Sequence, residues 1–248
     1  MLLEIKNIKK TFGELEVLKD VSFNLEAGKA YALVGTNGSG KTTIFNLICG
    51  FLSKDGGSVH FKGRNIDNVV PHMINQLGIG RTFQDLRLAN ELTVIENILL
   101  SFTNQQGEKW WNALLPARLY ENERDKLNAR AEAIIEDTFL AEVMHQKAGE
   151  ISFGQQKLLT LACCLANDAI LFLFDEPVAG ITLAYSDKMV ELMYRIKQSG
   201  KIILLIEHNA EFIKHICDRV FFLNEGILTE FDSYEELRNN QKVQEAYV

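Results

Sequence analysis

The sequence predicts an α/β domain with a mainly parallel sheet, an antiparallel β flank and a helical subdomain. Short apolar runs alternate with longer helical patterns over most of its 248 residues, which is typical of parallel strands joined by helices. Three runs are short and continuously apolar, as buried strands are: Ala30–Val34, Ile170–Phe174 and Ile202–Ile206. We therefore expect one domain over residues 1–248.

The antiparallel flank is predicted from a hairpin between residues 55 and 68. There the strand-like run Ser58–Phe61 is followed by a Lys62-Gly63 turn. A second hairpin is predicted near the end of the chain, where Phe221–Leu223 and Ile227–Phe231 flank a turn. Ser233 then has the position of an N-cap, and we expect it to begin the last short helix.

The helical subdomain is predicted over about residues 92–165, which carry no strong strand signal. A capping box at Thr93–Glu96 indicates the start of one helix. The segment Ala117–Leu140 has apolar residues at helical spacing and predicts a long charged helix. Between them, Asn104–Trp111 is predicted to be a polar loop that carries aromatic residues.

Composition excludes some classes of protein. A formal net charge of -7 and a pI near 5.4 argue against a nucleic-acid partner, because phosphate binding needs a concentrated basic surface. The cysteines show no CxxC spacing and are expected to be reduced thiols of a cytoplasmic protein. No export signal or apolar run of membrane-spanning length is present, so a membrane role is expected only through a partner. The cysteines are Cys49, Cys163, Cys164 and Cys217.

Polar clusters follow the three predicted buried strands. These clusters are Gly35–Thr43, Asp175-Glu176 and Glu207-His208. Because ligands of open α/β sheets collect beyond the carboxyl ends of the strands, we expect the three clusters to converge.

The first cluster fits the phosphate-loop pattern and lies between a strand and an amphipathic helix. Its glycines let backbone N–H groups approach phosphate oxygens, and the helix dipole adds positive potential. Lys41 is expected to neutralise the β- and γ-phosphates, and Thr42 to bind Mg²⁺. GTPases and kinases share this loop, so it indicates only the class of ligand. The predicted nucleotide contacts are Gly35, Thr36, Asn37, Gly38, Ser39, Gly40, Lys41, Thr42 and Thr43.

The second cluster places two carboxylates at the end of an apolar strand. Adjacent acids at a strand end are often solvated turn residues, but the phosphate loop favours a role for Asp175 as a Mg²⁺ ligand. Glu176 is then placed to polarise water as a general base.

The run Ile151–Gln155 discriminates between classes of phosphate-loop protein. Ser152 and Gln155 form a capping box at a helix start, and the run resembles the LSGGQ signature of ATP-binding cassette (ABC) proteins. The resemblance implies a P-loop NTPase fold of the ABC ATPase type, with ATP and Mg²⁺ as ligands. In that family the signature helix caps the γ-phosphate bound by the opposite subunit, which implies nucleotide contacts for Ser152, Gly154 and Gln155.

Other residues match the family in order and spacing. Gln84 resembles the Q-loop glutamine, which implies a catalytic and metal-binding role. His208 resembles the switch histidine that contacts the γ-phosphate. Phe12 matches the aromatic residue that stacks on adenine, although a core phenylalanine is the alternative. The D-loop corresponds to Ala179–Thr182.

More narrowly, the chain resembles the ATPases of branched-chain amino acid importers. The matching segments are Gly78–Gln84, Leu92–Asn97 and Leu205–His208. Two positions depart from that subgroup: Phe153 stands where the signature usually has Gly or Tyr, and Thr182-Leu183 stand where the D-loop usually has Asn-Pro.

The resemblance implies an ATPase subunit, paired with itself or a related ATPase, that drives import through a separate membrane permease. It also implies a solute-binding protein and a peripheral location on the cytoplasmic face of the inner membrane. An ABC subunit of an exporter and an ABC ATPase not coupled to transport are the alternatives. Trp110 and Trp111 either pack within the helical subdomain or contact the permease or bilayer.

Overall fold

The computed structural model describes residues 2–82, 86, 88–103 and 121–246. Over these ranges the chain forms two sheets and a set of covering helices. The strands are β1 (Leu3–Phe12), β2 (Leu15–Leu25), β3 (Ala30–Gly35), β4 (Gly56–Phe61), β5 (Arg64–Asn65), β6 (Ile79–Arg81), β7 (Leu171–Asp175), β8 (Ile202–Ile206), β9 (Arg219–Asn224) and β10 (Ile227–Phe231). The helices are α1 (Lys41–Ile48), α2 (Pro71–Gln76), α3 (Val94–Ser101), α4 (Glu121–Asp137), α5 (Phe153–Ala166), α6 (Leu183–Gln198), α7 (Ala210–Ile216), α8 (Tyr234–Asn239) and α9 (Gln241–Ala246).

The main sheet has six strands in the order β10-β9-β3-β8-β7-β6. Its neighbouring strands are parallel except for the hairpin of β9 and β10. The three predicted buried strands are confirmed as β3, β7 and β8, and every residue in them is buried. Because Asp175 on β7 pairs with Ile206 on β8, Glu176 and Glu207 leave adjacent strands at the same edge. The convergence of the polar clusters follows from this register.

The two faces of the main sheet pack against different cores. Along β7, Leu171 and Leu173 belong to one core, and Phe172 and Phe174 belong to the other. This alternation follows from the two-residue period of a strand. Helix α1 covers the first face, and helices α5 and α6 cover the second. A sheet covered on both sides explains why its strands lack the polar alternation of half-exposed ones.

The second sheet is antiparallel, in the order β2-β1-β4-β5. The predicted hairpin is confirmed as β4 and β5, and Lys62 and Gly63 in its turn both have positive φ. The long strands β1 and β2 were not predicted. Register shifts interrupt their pairing between Ile5 and Ile8, where Asn7 has a φ of 50°. These irregularities break the alternation on which strand prediction depends.

Helices α3, α4 and α5 pack together, as predicted for the helical segment. The capping box of Thr93 and Glu96 is confirmed at the start of α3. Helix α4 ends at Asp137, three residues before the predicted end at Leu140, because Phe139 adopts a left-handed φ of 59°. The hairpin of β9 and β10 and the Ser233 cap are confirmed. However, α8 is not the last helix, since α9 follows it.

None of the helices in the described ranges combines the length and the apolar character needed to cross a membrane.

Candidate active site

The phosphate loop connects β3 to α1 at the carboxyl edge of the main sheet. Gly40, the residue before α1, has a φ of 106°, and no side chain caps the helix. The first N–H groups of α1 are therefore not used by a capping side chain. Gly38 has a φ of 78° and no atom within 4 Å of the place where a side chain would begin. Backbone donors of this kind, with open space before them, form an anion site.

Lys41 and Ser39 place polar groups inside this loop. The Lys41 Nζ is buried and donates to the main-chain oxygens of Gly35, at 2.9 Å, and Thr36, at 2.8 Å. Burial lowers the pKa of Lys41, and the nearby carboxylates of Glu176 and Asp175 oppose that shift. The Ser39 Oγ is buried and has no hydrogen-bond partner among the described residues. A buried cation and an unsatisfied hydroxyl fit a polyphosphate ligand.

Asp175 ends β7 and is 9% exposed. Its main-chain N–H donates to the Thr82 Oγ1 at 3.3 Å, and its Oδ2 lies 3.7 Å from the Arg81 guanidinium. Burial raises the pKa of Asp175, while the charge of Arg81 lowers it. The Thr42 hydroxyl and the Asp175 carboxylate are oxygen donors of the kind Mg²⁺ prefers, together with water and phosphate oxygens. The residues present therefore fit a Mg²⁺ ion bound with a nucleotide.

Glu176 and His208 face each other at the ends of β7 and β8. The Glu176 Oε1 lies 3.7 Å from the His208 Nε2, and both side chains are partly exposed. Glu176 has a φ of 50°, and its N–H donates to the Ile206 carbonyl at 2.9 Å. A non-glycine residue in this region is uncommon and is held there by its surroundings.

Glu207 is a site residue to which the sequence assigned no role. It is 4% exposed and accepts N–H groups from His208 at 2.6 Å, Asn209 at 3.1 Å and Val178 at 3.2 Å. Its carboxylate fixes the backbone on both sides of the His208 and Glu176 pair. The sequence feature that could have identified Glu207 as a site residue is its position between a predicted buried strand and His208.

The signature residues begin α5. The predicted capping box is confirmed: the Ser152 Oγ accepts the Gln155 N–H at 3.4 Å, and the Gln155 Oε1 accepts the Ser152 N–H at 2.9 Å. A Cβ on Gly154 would lie 2.6 Å from the Tyr185 ring, so only glycine fits there without movement. Among the described residues, the side-chain hydrogen bonds of Ser152 join it to Gln155 and Tyr185, not to the phosphate loop.

Two side chains connect the first turns of α5 to the segment that follows β7 in the same chain. The Lys157 Nζ donates to the main-chain oxygen of Glu176 at 2.6 Å. Burial lowers the pKa of Lys157, opposed by the charges of Glu207, Glu176 and Asp175. The Phe153 ring is 46% exposed and lies 3.2 Å from the place of a Cβ on Gly180 in the D-loop.

Phe12 ends β1 and is 45% exposed, so the alternative of a core phenylalanine is wrong. The Lys10 ammonium lies 5.3 Å from its ring centroid. The ring therefore offers an accessible aromatic face. Gln84, Trp110 and Trp111 lie outside the described residues, and the predictions made for them stay predictions.

Comparison with known proteins agrees with this geometry. The family model described as "ABC transporter" matches residues 18–179. The "Probable branched-chain amino acid transport ATP-binding protein LivG" of Archaeoglobus fulgidus is 34% identical over 247 residues, covering 100% of this chain and 95% of that protein. The "High-affinity branched-chain amino acid transport ATP-binding protein LivG" of Salmonella typhimurium is 32% identical over 248 residues, covering 100% of this chain and 97% of that protein.

Solved structures are similar over the same length. A nucleotide-free ATP-binding cassette from an ABC transporter superimposes with a TM-score of 0.85 at 32% identity, covering 100% of this chain and 98% of that chain. An ATP-binding cassette of an ABC transporter in its ADP conformation gives a TM-score of 0.82 at 32% identity, covering 99% of this chain and 98% of that chain.

Proposed function

The chain belongs to the ABC transporter family and is an ABC ATPase, and from that premise we propose that it drives a branched-chain amino acid importer. The observation that carries the ATPase chemistry is the meeting of a buried lysine, an Asp-Glu pair and a histidine at one edge of the main sheet. The solute class rests on the names of relatives that match the whole chain at 32–34% identity. No feature of the described residues favours an exporter or an ATPase that is not coupled to transport.

We assign the roles of the site residues as follows. Lys41 exchanges its contacts with the loop carbonyls for the β- and γ-phosphates of ATP. Thr42 and Asp175, together with Gln84, hold Mg²⁺, which supplies positive charge for the developing negative charge on the phosphates. Glu176 accepts a proton from the attacking water, and His208 contacts the γ-phosphate. Phe12 stacks on adenine.

The working form is a head-to-tail dimer of this chain with itself or with a related ATPase. Each ATP lies between the phosphate loop of one subunit and the signature of the other. The nucleotide contacts of Ser152, Gly154 and Gln155 are therefore made across the dimer. We assign residues 1–248 to one cassette domain, with the helical subdomain over about residues 92–165.

The proposed import function involves membrane and solute-binding partners. We assign a separate integral-membrane permease, a solute-binding protein and a peripheral position on the cytoplasmic face of the membrane. Trp110 and Trp111 are candidates for contact with the permease or the bilayer. Isolation of the membrane protein that co-purifies with this chain, followed by ATP-driven uptake of labelled leucine in the reconstituted complex, tests this assignment. Uptake of an unrelated solute in place of leucine would overturn the solute class.

Glu176→Gln tests the assigned chemistry. Glutamine is nearly isosteric but cannot accept the proton, so we expect hydrolysis to fall by about 10²–10⁴-fold while ATP still binds. Because each ATP joins two subunits, blocked hydrolysis should hold an ATP-dependent dimer, measured by size-exclusion chromatography.

The matched control adds Ser152→Arg to Glu176→Gln. The added side chain obstructs the γ-phosphate site of the partner subunit, so the ATP-dependent dimer should be lost. If the chain pairs only with a related ATPase, that ATPase must be included. Turnover at the native rate by Glu176→Gln would remove Glu176 from the role of general base.

A further inference from the structure

Lys157, on helix α5, contacts Glu176, the residue that follows β7. It lies in the second turn of α5, the helix that begins at the signature. Its side chain is half-buried, and its Nζ donates to the main-chain oxygen of Glu176 at 2.6 Å. A charged donor at this distance makes one of the stronger hydrogen bonds of a protein.

The oxygen that Lys157 binds belongs to a residue in a strained conformation. The φ of 50° at Glu176 lies in the left-handed region, which is unfavourable for a residue that carries a side chain. Contacts on both sides hold it: its N–H donates to Ile206, and its carbonyl accepts from Lys157. Because the backbone angles of Glu176 set the direction of its Cα–Cβ bond, these contacts help to place its carboxylate 3.7 Å from His208.

The surroundings keep the Lys157 ammonium in place. Burial lowers the pKa of Lys157, the charge of Glu207 opposes that shift, and Glu207 also accepts the Val178 N–H. On the other side, the ammonium lies 5.4 Å from the Phe153 ring centroid, within the range of a cation–π interaction. Phe153 is one of the two departures from the importer subgroup, and its ring borders Gly180 of the D-loop.

We propose that Lys157 is a positioning residue, which holds the Glu176 carboxylate in the direction needed for hydrolysis and so joins the signature helix to the general base of its own chain. This inference rests on the proposed function of Glu176. In this proposal, helix α5 binds the nucleotide of the partner subunit through its first turn. Through Lys157, the same helix fixes the geometry of Glu176 in the nucleotide site of its own chain.

The test compares Lys157→Met with Lys157→Arg. Methionine keeps much of the apolar stem but removes the ammonium, and a misplaced catalytic group can lower a rate by about 100-fold. For Lys157→Met we expect the single-turnover hydrolysis rate to fall by roughly 10- to 100-fold. The KM for ATP and the affinity for nucleotide should change by less than about twofold, because the phosphate loop is unaltered. Arginine keeps the charged donor and should restore most of the rate.

Lys201→Met is the matched control. Lys201 is also half-buried, and its ammonium lies 5.5 Å from the Phe172 ring centroid, but it precedes β8 and lies at the opposite edge of the main sheet. Its loss should leave the single-turnover rate unchanged. Thermal unfolding of both variants measures any general loss of stability. An equal loss of rate in the two variants overturns the proposal.

A double-mutant cycle separates positioning from a merely structural role. If Lys157 acts through Glu176, adding Lys157→Met to Glu176→Gln should not lower the residual rate further. A structural role predicts an additional fall of the same size as in the native background. Should Lys157→Met fail to fold, Lys157→Leu and Lys157→Arg are compared instead. Equal rates for these two, one without a side-chain donor and one with a charged donor, overturn the proposal.

The two hypotheses fail in different ways. Native turnover by Glu176→Gln contradicts the proposed function. Loss of turnover in Glu176→Gln, combined with a native single-turnover rate in Lys157→Met, contradicts only the role of Lys157.

Discussion

Gly38 in the phosphate loop and Gly154 in the signature occur in the two motifs proposed to enclose ATP, yet their surroundings differ. Gly38 has a positive φ of 78°, and the space beside its Cα is open. Gly154 is helical, and the corresponding space is filled by the Tyr185 ring at 2.6 Å. Gly38 permits a left-handed backbone and leaves open space for a ligand, whereas Gly154 leaves room for the Tyr185 ring. Glycine is therefore favoured for different physical reasons in the two motifs.

The polar groups of the two motifs differ in the same way. In the phosphate loop, no residue that the structure describes hydrogen-bonds to the Ser39 hydroxyl or caps α1 with its side chain. In the signature, Ser152 and Gln155 already satisfy each other in a capping box. Anion binding at the phosphate loop breaks no capping bond, although Lys41 exchanges its bonds to the Gly35 and Thr36 carbonyls. In the signature, the proposed contact of Ser152 with nucleotide competes with its capping bonds, which lowers the net gain in free energy from that contact.

The largest effect is expected from Lys41→Ala. The substitution removes the cation from the phosphate loop. We expect the binding free energy of ATP to weaken by about 3 kcal/mol, which lowers the affinity roughly 100-fold. The fold should remain, because the side chain bonds only to loop carbonyls in the described structure. Titration with a fluorescent ATP analogue measures the affinity, and circular dichroism checks the fold. Retained affinity in a folded variant would show that the phosphate loop is misassigned.

The next largest effect is expected from Gly154→Ala. The added methyl group would overlap the Tyr185 ring, and overpacking of this kind costs about 1–3 kcal/mol of unfolding free energy. In a Tyr185→Ala background the clash is gone, and alanine favours a helix over glycine by up to about 1 kcal/mol. The same substitution should then become neutral or stabilising. Urea denaturation measures both backgrounds, and an equal loss in each would refute the packing role of Gly154.

Gly38→Ala supplies the other half of that comparison. Its neighbourhood is empty, so the expected cost of roughly 1–2 kcal/mol comes from the left-handed backbone alone. Tyr185→Ala should not relieve it, because the two sites share no contact that couples them. Urea denaturation of the single and double variants decides this point. Relief of the Gly38→Ala defect by Tyr185→Ala would mean that the two motifs are coupled.

The smallest effect on stability is expected from Ser152→Ala, with Thr93→Ala as its matched control. Both residues are N-caps in a capping box, so each loss should cost about 1 kcal/mol of unfolding free energy. Only Ser152→Ala should also lower ATP hydrolysis, by roughly tenfold, if Ser152 binds the nucleotide of the partner subunit. Thermal unfolding and steady-state hydrolysis measure the two effects. A similar loss of hydrolysis in Thr93→Ala would attribute the effect to helix stability alone.

Local signals predicted much of the fold correctly. Strands β3, β7 and β8 are continuously apolar because helices cover both faces of the main sheet, and that pattern is visible in sequence. The capping boxes of α3 and α5 were equally visible, since each depends on residues three positions apart. Strands β1 and β2 were not predicted, because bulges interrupt their alternation of buried and exposed residues.

The sequence by itself identified the residues that we propose carry the chemistry: the lysine of the phosphate loop, the Asp-Glu pair, the histidine and the capped signature. These depend on short spacings, because a loop, a strand end or a helix start is built from consecutive residues. Only the tertiary structure revealed the contacts that support these residues. They are the hydrogen bond from Lys157 to the Glu176 carbonyl, the hydrogen bond from the Val178 N–H to Glu207, and the packing of the Tyr185 ring beside Gly154. Each of these contacts joins residues that are 19 to 31 positions apart along the chain. No local sequence pattern indicates which side chain will make such a contact. The same reason decides the exposure of Phe12, which depends on what packs beside β1 and not on its neighbours in sequence.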